Sequence, residues 1–139
     1  MLRQASGKLT VQAPRQGLHM ITDEVSAWLS DQGIDAGLLT ILCRHTSASL
    51  LVQENAAPSA RRDLEAYFAR IAPESSAYEH DDEGPDDMPA HLRAALTQPI
   101  LSIPVEGGRM MLGRWQGLYL FEHRTDPSPR QLALHLVGE

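Results

Sequence analysis

Residues 38–44 read Leu-Leu-Thr-Ile-Leu-Cys-Arg, and the fold prediction starts from their apolar character. A short, nearly continuous apolar run of this kind is typical of a strand at the centre of a sheet. A second apolar stretch, residues 49–53, follows after the short polar connection 45–48. We therefore predict two successive strands joined by a turn.

Helical patterns lie on both sides of these strands. Residues 9–13 alternate like a strand until Pro14, and the next stretch has apolar residues at helical spacing until Gly33, namely Ile21, Val25, Trp28 and Leu29. From Pro58 to Pro73 a second apolar stripe predicts a helix, because proline suits a first turn and ends a helix elsewhere. We expect a short third helix over residues 89–96.

The C-terminal third of the chain is rich in strand patterns. Residues 100–105, 110–112, 117–123 and 132–137 each have strand character, and Gly107-Gly108 predicts a hairpin between the first two. Because helices mostly precede strands, the class is α+β. We predict a single compact domain over residues 1–139, with antiparallel or mixed β-sheet layers and two to three helices.

Charge and composition limit the classes of partner that the protein is expected to bind. The 139 residues carry a net charge of -6, and the basic residues are not clustered as nucleic-acid binding requires. No apolar segment approaches the roughly 20 residues that cross a bilayer, and the N-terminus does not resemble a signal peptide. We expect a cytoplasmic protein that binds neither nucleic acid nor membrane.

The loop over residues 80–91, His-Asp-Asp-Glu-Gly-Pro-Asp-Asp-Met-Pro-Ala-His, concentrates chemistry that burial does not explain. Two imidazoles and five carboxylates surround a Gly-Pro turn, and both groups bind divalent metals or exchange protons near neutral pH. A solvated acidic loop is the alternative interpretation. We predict a functional site here.

Other candidate residues lie at the ends of predicted elements. His45 begins a segment that contains three hydroxyl residues, Thr46, Ser47 and Ser49. Such a segment can bind an oxyanion, or its hydroxyls can satisfy the backbone of their own turn. Glu54 and Asn55 follow the next strand, where they can orient a ligand, move a proton or cap a helix.

Two further segments complete the candidate set. Trp115 and Gln116 lie between two glycines that permit tight turns. Glu122, His123 and Arg124 end a predicted strand, where alternation directs His123 to one face and the other two to the opposite face. The three side chains therefore face one pocket only if the strand bulges or subunits meet there.

These motifs, taken in order, resemble the YjbQ family. The resemblance rests on residues 45–49, Glu54-Asn55, residues 78–80 and 84–91, the Gly-Arg-Trp-Gln-Gly segment 113–117 and residues 122–124, and it runs nearly the full length. Arg114 departs from the threonine that is common at this place in the family. The resemblance implies a small α+β domain, a homotrimer and a histidine cluster that binds metal or an anion.

Carried onto this chain, the resemblance implies three metal ligands, His45, His80 and His91. Zinc is the first choice of divalent ion and magnesium the second, and three ligands would leave a fourth zinc position open. Glu54 or Glu122 would carry protons or support the ligands. The residues expected to contact an anionic substrate are Thr46, Ser47, Ser49, Asn55, Gln116 and Arg124.

Three functions remain in competition. The resemblance implies a thiamine-phosphate synthase-like transferase that joins a pyrimidine diphosphate to a thiazole phosphate, with a metal neutralising developing charge. The sequence has no glycine-rich phosphate loop of the G-x-x-x-x-G-K-[ST] type. A metal-dependent hydrolase and a non-enzymatic metal- or metabolite-binding oligomer are the alternatives.

Overall fold

The computed structural model describes residues 1–75 and 77–139. These residues form three helices, α1 (Thr22–Asp31), α2 (Pro58–Ile71) and α3 (Asp87–Leu96). The strands of the same residues are β1 (Arg3–Val11), β2 (Gly17–Met20), β3 (Gly37–Cys43), β4 (Ala48–Glu54), β5 (Ile100–Glu106), β6 (Arg109–Met110), β7 (Gln116–Glu122) and β8 (Arg130–Gly138). None of the helices in this part of the chain is both long and apolar enough to cross a bilayer.

The strands form two antiparallel sheets. The larger sheet has the order β1-β8-β3-β5-β6 and the smaller one the order β2-β7-β4. The predicted α+β class is confirmed, and β3 is the middle strand of five, as its apolar sequence indicated. However, Leu38 and Leu42 are 42% and 40% exposed, so one face of β3 is uncovered in the monomer.

The main core lies between the two sheets. Leu39 and Ile41 from β3 pack with Leu118 and Leu120 from β7, and α1 closes the same cluster through Val25. The opposite face of the small sheet packs against α2, where Phe68 meets Phe121 with ring centroids 5.3 Å apart. The small sheet is therefore sandwiched between the large sheet and α2, and both of its faces bury side chains.

One strand and the start of one helix differ from the sequence prediction. The short strand β2 was not predicted, and it is held by its pairing with β7. Helix α3 begins at Asp87 and not at Pro89, because a proline in the first turn displaces no intrahelical hydrogen bond. The residues between α2 and α3 are irregular in their described part, as the gap between the two predicted helices indicated, and residue 76 lies outside the described residues.

Candidate metal centre

Helix α3 and the loop before it bring His80, Asp87 and His91 together. Asp87 and His91 are four residues apart, so they lie on the same face of α3. The loop returns His80 to this face, where its Nε2 lies 2.9 Å from Asp87 Oδ2. His91 Nε2 lies 3.3 Å from the same oxygen. One carboxylate oxygen is therefore shared by two imidazole nitrogens.

Arg124 fixes the orientation of that carboxylate. Its Nη1 donates to Asp87 Oδ1 at 2.7 Å, which leaves Oδ2 facing the histidines. Its Nε donates to Asp86 Oδ2 at 2.9 Å, and its Nη2 donates to the carbonyl of Glu83 at 2.8 Å. All three guanidinium nitrogens thus hold the loop and the start of α3. Charge-assisted bonds of this kind are among the stronger ones in proteins.

Two more carboxylates approach His80 from the solvent side. Glu83 Oε2 lies 3.0 Å from His80 Nε2, and Asp82 Oδ1 lies 3.6 Å from Nδ1. The hydrogen bond to Asp87, together with the charges of Asp82 and Glu83, raises the pKa of His80. The imidazole lies in a negative field that also favours a divalent cation.

The donor set fits a metal ion. The ligand atoms of His80, Asp87 and His91 all lie within 4.8 Å of one another. Ligands about 2.0–2.1 Å from a tetrahedral zinc ion are roughly 3.3 Å apart, close to the separations seen here. Two imidazoles and one carboxylate suit zinc, whereas magnesium prefers oxygen ligands and bound water. Three protein ligands leave one position for water or substrate.

A cleft of about 680 Å³ opens beside His80 and gives the site a route to solvent. It is lined by Tyr78, Glu79, His80, Asp81, Asp82 and Met88. Glu79, Asp81 and Asp82 make this cleft predominantly acidic, so an anionic ligand would be repelled unless a bound cation reversed the local charge. A metal ion is therefore a precondition for any phosphorylated ligand at this place.

His45 does not join this cluster within the chain. Its Nε2 accepts a hydrogen bond from the backbone N–H of Gln131 at 2.8 Å, so that nitrogen is occupied. Burial and the nearby Arg130 lower the pKa of His45, which keeps the ring neutral. Of the three predicted ligands the structure brings together His80 and His91, and Asp87 takes the place predicted for His45.

Both predicted proton carriers have structural contacts. Glu122 is fully buried and holds Arg130 through two bonds, at 2.8 Å from Nε and 2.5 Å from Nη2. Arg130 Nη1 also donates to Ser47 Oγ at 2.9 Å. Glu54 accepts from the backbone N–H of Ala56 at 2.9 Å and ends its strand there. A paired and buried Glu122 is not available to a substrate.

The predicted anion contacts are similarly engaged. The Asn55 amide donates to the carbonyls of Arg114 and Gln116, both at 3.1 Å. Gln116 Oε1 accepts from Gly113 N–H at 2.7 Å, so both amides hold the 113–116 turn. Ser49 is buried against His123, with 2.8 Å between Oγ and Nε2, while Thr46 is exposed on its turn. Neither serine hydroxyl faces the cluster of His80.

Asp87, Arg130 and Thr97 make contacts that the sequence did not predict. Asp87 lies in the acidic stretch 80–91, and its four-residue spacing to His91 is a signal present in the sequence. A helix predicted to begin at Pro89 leaves Asp87 outside, so the prediction did not place Asp87 and His91 on one helix face. No sequence signal marked Arg130 and Thr97, because their partners come from distant strands.

The fold and site define a class: small α+β domains with two antiparallel sheets and a histidine-carboxylate cluster at the start of a helix. The chain matches the model of the family described as UPF0047 protein YjbQ-like over residues 7–139. It therefore belongs to the YjbQ family, as the motifs indicated.

Relatives support the assignment over nearly full length. A UPF0047 protein of Synechocystis is 44% identical over 138 residues, 99% of this chain and 94% of that protein. The YjbQ protein of Salmonella typhimurium is 44% identical over 94% of this chain and 96% of its own length. The crystal structure of a hypothetical protein from Aeropyrum pernix is 30% identical with a TM-score of 0.87, covering 97% of this chain and 99% of that one. The descriptions of these three proteins state no activity.

Proposed function

We propose that the cluster of His80, Asp87 and His91 binds a divalent metal ion and that the chain is a metal-assisted enzyme acting on phosphorylated small molecules. Zinc is the first choice of ion and magnesium the second. The observation that carries the proposal is the sharing of Asp87 Oδ2 by two imidazole nitrogens, at 2.9 and 3.3 Å. Arg124 supports it by holding the other carboxylate oxygen.

The neighbouring Glu83 favours hydrolysis as the reaction. A metal ion lowers the pKa of bound water and makes it a nucleophile near neutral pH. Glu83 reaches within 3.0 Å of His80 Nε2 and its side chain is 59% exposed, so it can accept a proton from such a water. A phosphate ester held at the open metal position would then be the substrate class.

The thiamine-phosphate synthase-like transferase is the second candidate, and the family resemblance supports it. That reaction needs positive groups to hold a departing pyrophosphate. Arg124 is the arginine beside the cluster, and all three of its nitrogens are engaged. The transferase therefore depends on the metal alone for charge at this place, which is weaker support than the hydrolase has.

We further propose that the protein assembles as a homotrimer. Its support is the uncovered face of the large sheet, where Leu38, Leu42, Ile100 and Val137 are 39% to 48% exposed. Apolar patches of this kind on soluble proteins commonly mark protein contacts.

Metal content is the first test. Untagged protein, purified without metal-affinity resin, should carry near-stoichiometric metal by elemental analysis. The His80→Ala/His91→Ala double variant should carry none while keeping its circular-dichroism spectrum, and Asp81→Asn, an exposed control in the same loop, should retain the metal. A folded double variant with full metal content would refute the ligand assignment.

Product analysis then separates the functions. Release of inorganic phosphate from phosphate esters supports hydrolysis, whereas a condensed product with release of pyrophosphate supports the transferase. Metal bound with saturated coordination and no turnover of either kind would favour a non-enzymatic binding protein.

A further inference from the structure

A buried chain of polar side chains lies behind α3, apart from the metal cluster. Thr97, just beyond the helix, places its Oγ1 2.5 Å from Ser49 Oγ on β4 and 2.8 Å from the carbonyl of Arg93. Ser49 Oγ in turn lies 2.8 Å from His123 Nε2. All four residues are at most 9% exposed. This chain of polar groups thus runs from the Arg93 carbonyl to the His123 ring through three contacts.

Counting hydrogens fixes the direction of every bond. The carbonyl of Arg93 can only accept, so Thr97 spends its single hydroxyl hydrogen there. Ser49 must then donate to Thr97, and His123 must donate to Ser49 through Nε2–H. This is the only arrangement in which a neutral imidazole and two hydroxyls fill all three contacts. The reverse direction would leave the Arg93 carbonyl, near the end of α3, without its donor.

Neutrality of the ring is consistent with its surroundings. Burial, together with the positive charges of Arg93 and Arg130, lowers the pKa of His123 to about 3. The proton on Nε2 therefore leaves Nδ1 as a bare acceptor.

Two atoms at the ends of the chain lack a partner. His123 Nδ1 and Arg93 Nε are buried and have no hydrogen-bond partner among the groups of the described residues. One is an acceptor and the other a donor, and each belongs to a terminal residue of the same chain of bonds. Buried polar atoms of this kind are regularly paired through ordered water.

We infer that a single water molecule binds between Arg93 and His123, accepting from Nε–H and donating to Nδ1, and closes the polar chain into a ring. Water fits because the site offers one donor and one acceptor. An anion would accept from Arg93 but would be repelled by the Nδ1 lone pair, so it is the wrong class of ligand. The ring would join α3, which carries Asp87 and His91, to β4 and to the end of β7.

Histidine NMR tests the proton arrangement. Long-range ¹H–¹⁵N spectra of the full chain at pH 7 should show His123 as the Nε2–H tautomer, and the His123→Gln variant assigns the signal. Thr97→Ser keeps a hydroxyl and should leave the tautomer unchanged. Thr97→Val removes it, so Ser49 turns its hydrogen to Nε2 and His123 gains the Nδ1–H form. A wild-type Nδ1–H tautomer, or no change in Thr97→Val, would overturn the inference.

Atomic-resolution diffraction of the wild-type protein tests the water itself and needs no variant. The expected result is an oxygen within hydrogen-bond distance of both Arg93 Nε and His123 Nδ1. A direct contact between the two side chains, an anion in that place, or no density there would contradict the water site.

Discussion

Asp87 is the residue on which the candidate site depends, since it faces two histidines with one oxygen and Arg124 with the other. In the proposed site, division of the carboxylate between a metal and a supporting arginine would fix the orientation and charge of the ligand. An asparagine has the same shape but would present a neutral group to both sides. The effect of Asp87→Asn on metal binding therefore distinguishes the contribution of the carboxylate charge from that of side-chain packing.

We predict that Asp87→Asn lowers metal affinity by more than about tenfold, since even supporting partners of metal ligands are worth 10- to 100-fold. Competition with a chromogenic chelator measures it. Asp81→Asn changes the same charge on an exposed residue of the loop and should stay within about twofold. Equal losses in both variants would mean that general acidity of the loop, and not a ligand, governs binding.

His123 contributes to stability with a definite dependence on pH. Its pKa is about 3 in the folded protein and about 6.5 when unfolded, so the unfolded chain takes up the proton first as the pH falls. The contribution is complete above pH 6.5 and is lost progressively toward pH 3.

A fall in pH from 6.5 to 4.5 should lower the unfolding free energy by roughly 2–3 kcal/mol through protonation of this histidine in the unfolded chain, at about 1.4 kcal/mol per pH unit. Urea unfolding of metal-free protein at the two values, compared with His123→Gln, measures its share. The glutamine variant lacks the titrating ring and should lose correspondingly less. Parallel losses in both proteins would show that other groups account for acid sensitivity.

At the scale of elements, the pair of Glu122 and Arg130 ties the two sheets together. Glu122 ends β7 in the small sheet, Arg130 begins β8 in the large one, and neither is more than 4% exposed. Removing one partner of a buried ion pair leaves the other charge unpaired, at a cost of about 3–5 kcal/mol. This connection is structural, in contrast to the proton-carrying role expected from sequence.

We therefore predict that Glu122→Gln lowers the unfolding free energy by about 3 kcal/mol, measured by urea denaturation without metal. Replacing both residues with leucine should cost less than the single change, because no buried charge remains. If Glu122→Gln kept full stability but lost the turnover found in the substrate screen, the sequence-based role would be right after all.

Local patterns predicted the elements better than the site. Helix α2 was predicted from Pro58 and its apolar stripe, and β3 from its run of large aliphatic residues, because these signals lie within a few residues of one another. The site depends on which ends of elements meet. His45 lies in the turn from the large to the small sheet beside Gln131, whereas His80 folds onto α3, and no spacing in the sequence distinguishes these destinations.

At the scale of the whole molecule, the large sheet covers the core with one face and leaves the other uncovered. Leu42 and Ile100 are directly paired across β3 and β5, and they are 40% and 48% exposed. A sheet face of aliphatic residues is a surface that a second copy can bury at a gain of about 25 cal/mol per Å². Burial by a second copy would account for the apolar residues on the exposed side of β3.

We predict that Leu42→Lys/Ile100→Lys converts the proposed trimer into folded monomers. Each subunit of the variant would bring two lysine charges into an apolar contact, where no group compensates for the water they lose. Sedimentation equilibrium should give three times 15.3 kDa for the wild type and 15.3 kDa for the variant. Ile71→Lys, on the 44% exposed end of α2 in another layer, is the matched control and should stay trimeric. A monomeric wild type at micromolar concentration would refute the assembly, while a trimeric double variant would place its contacts on another face.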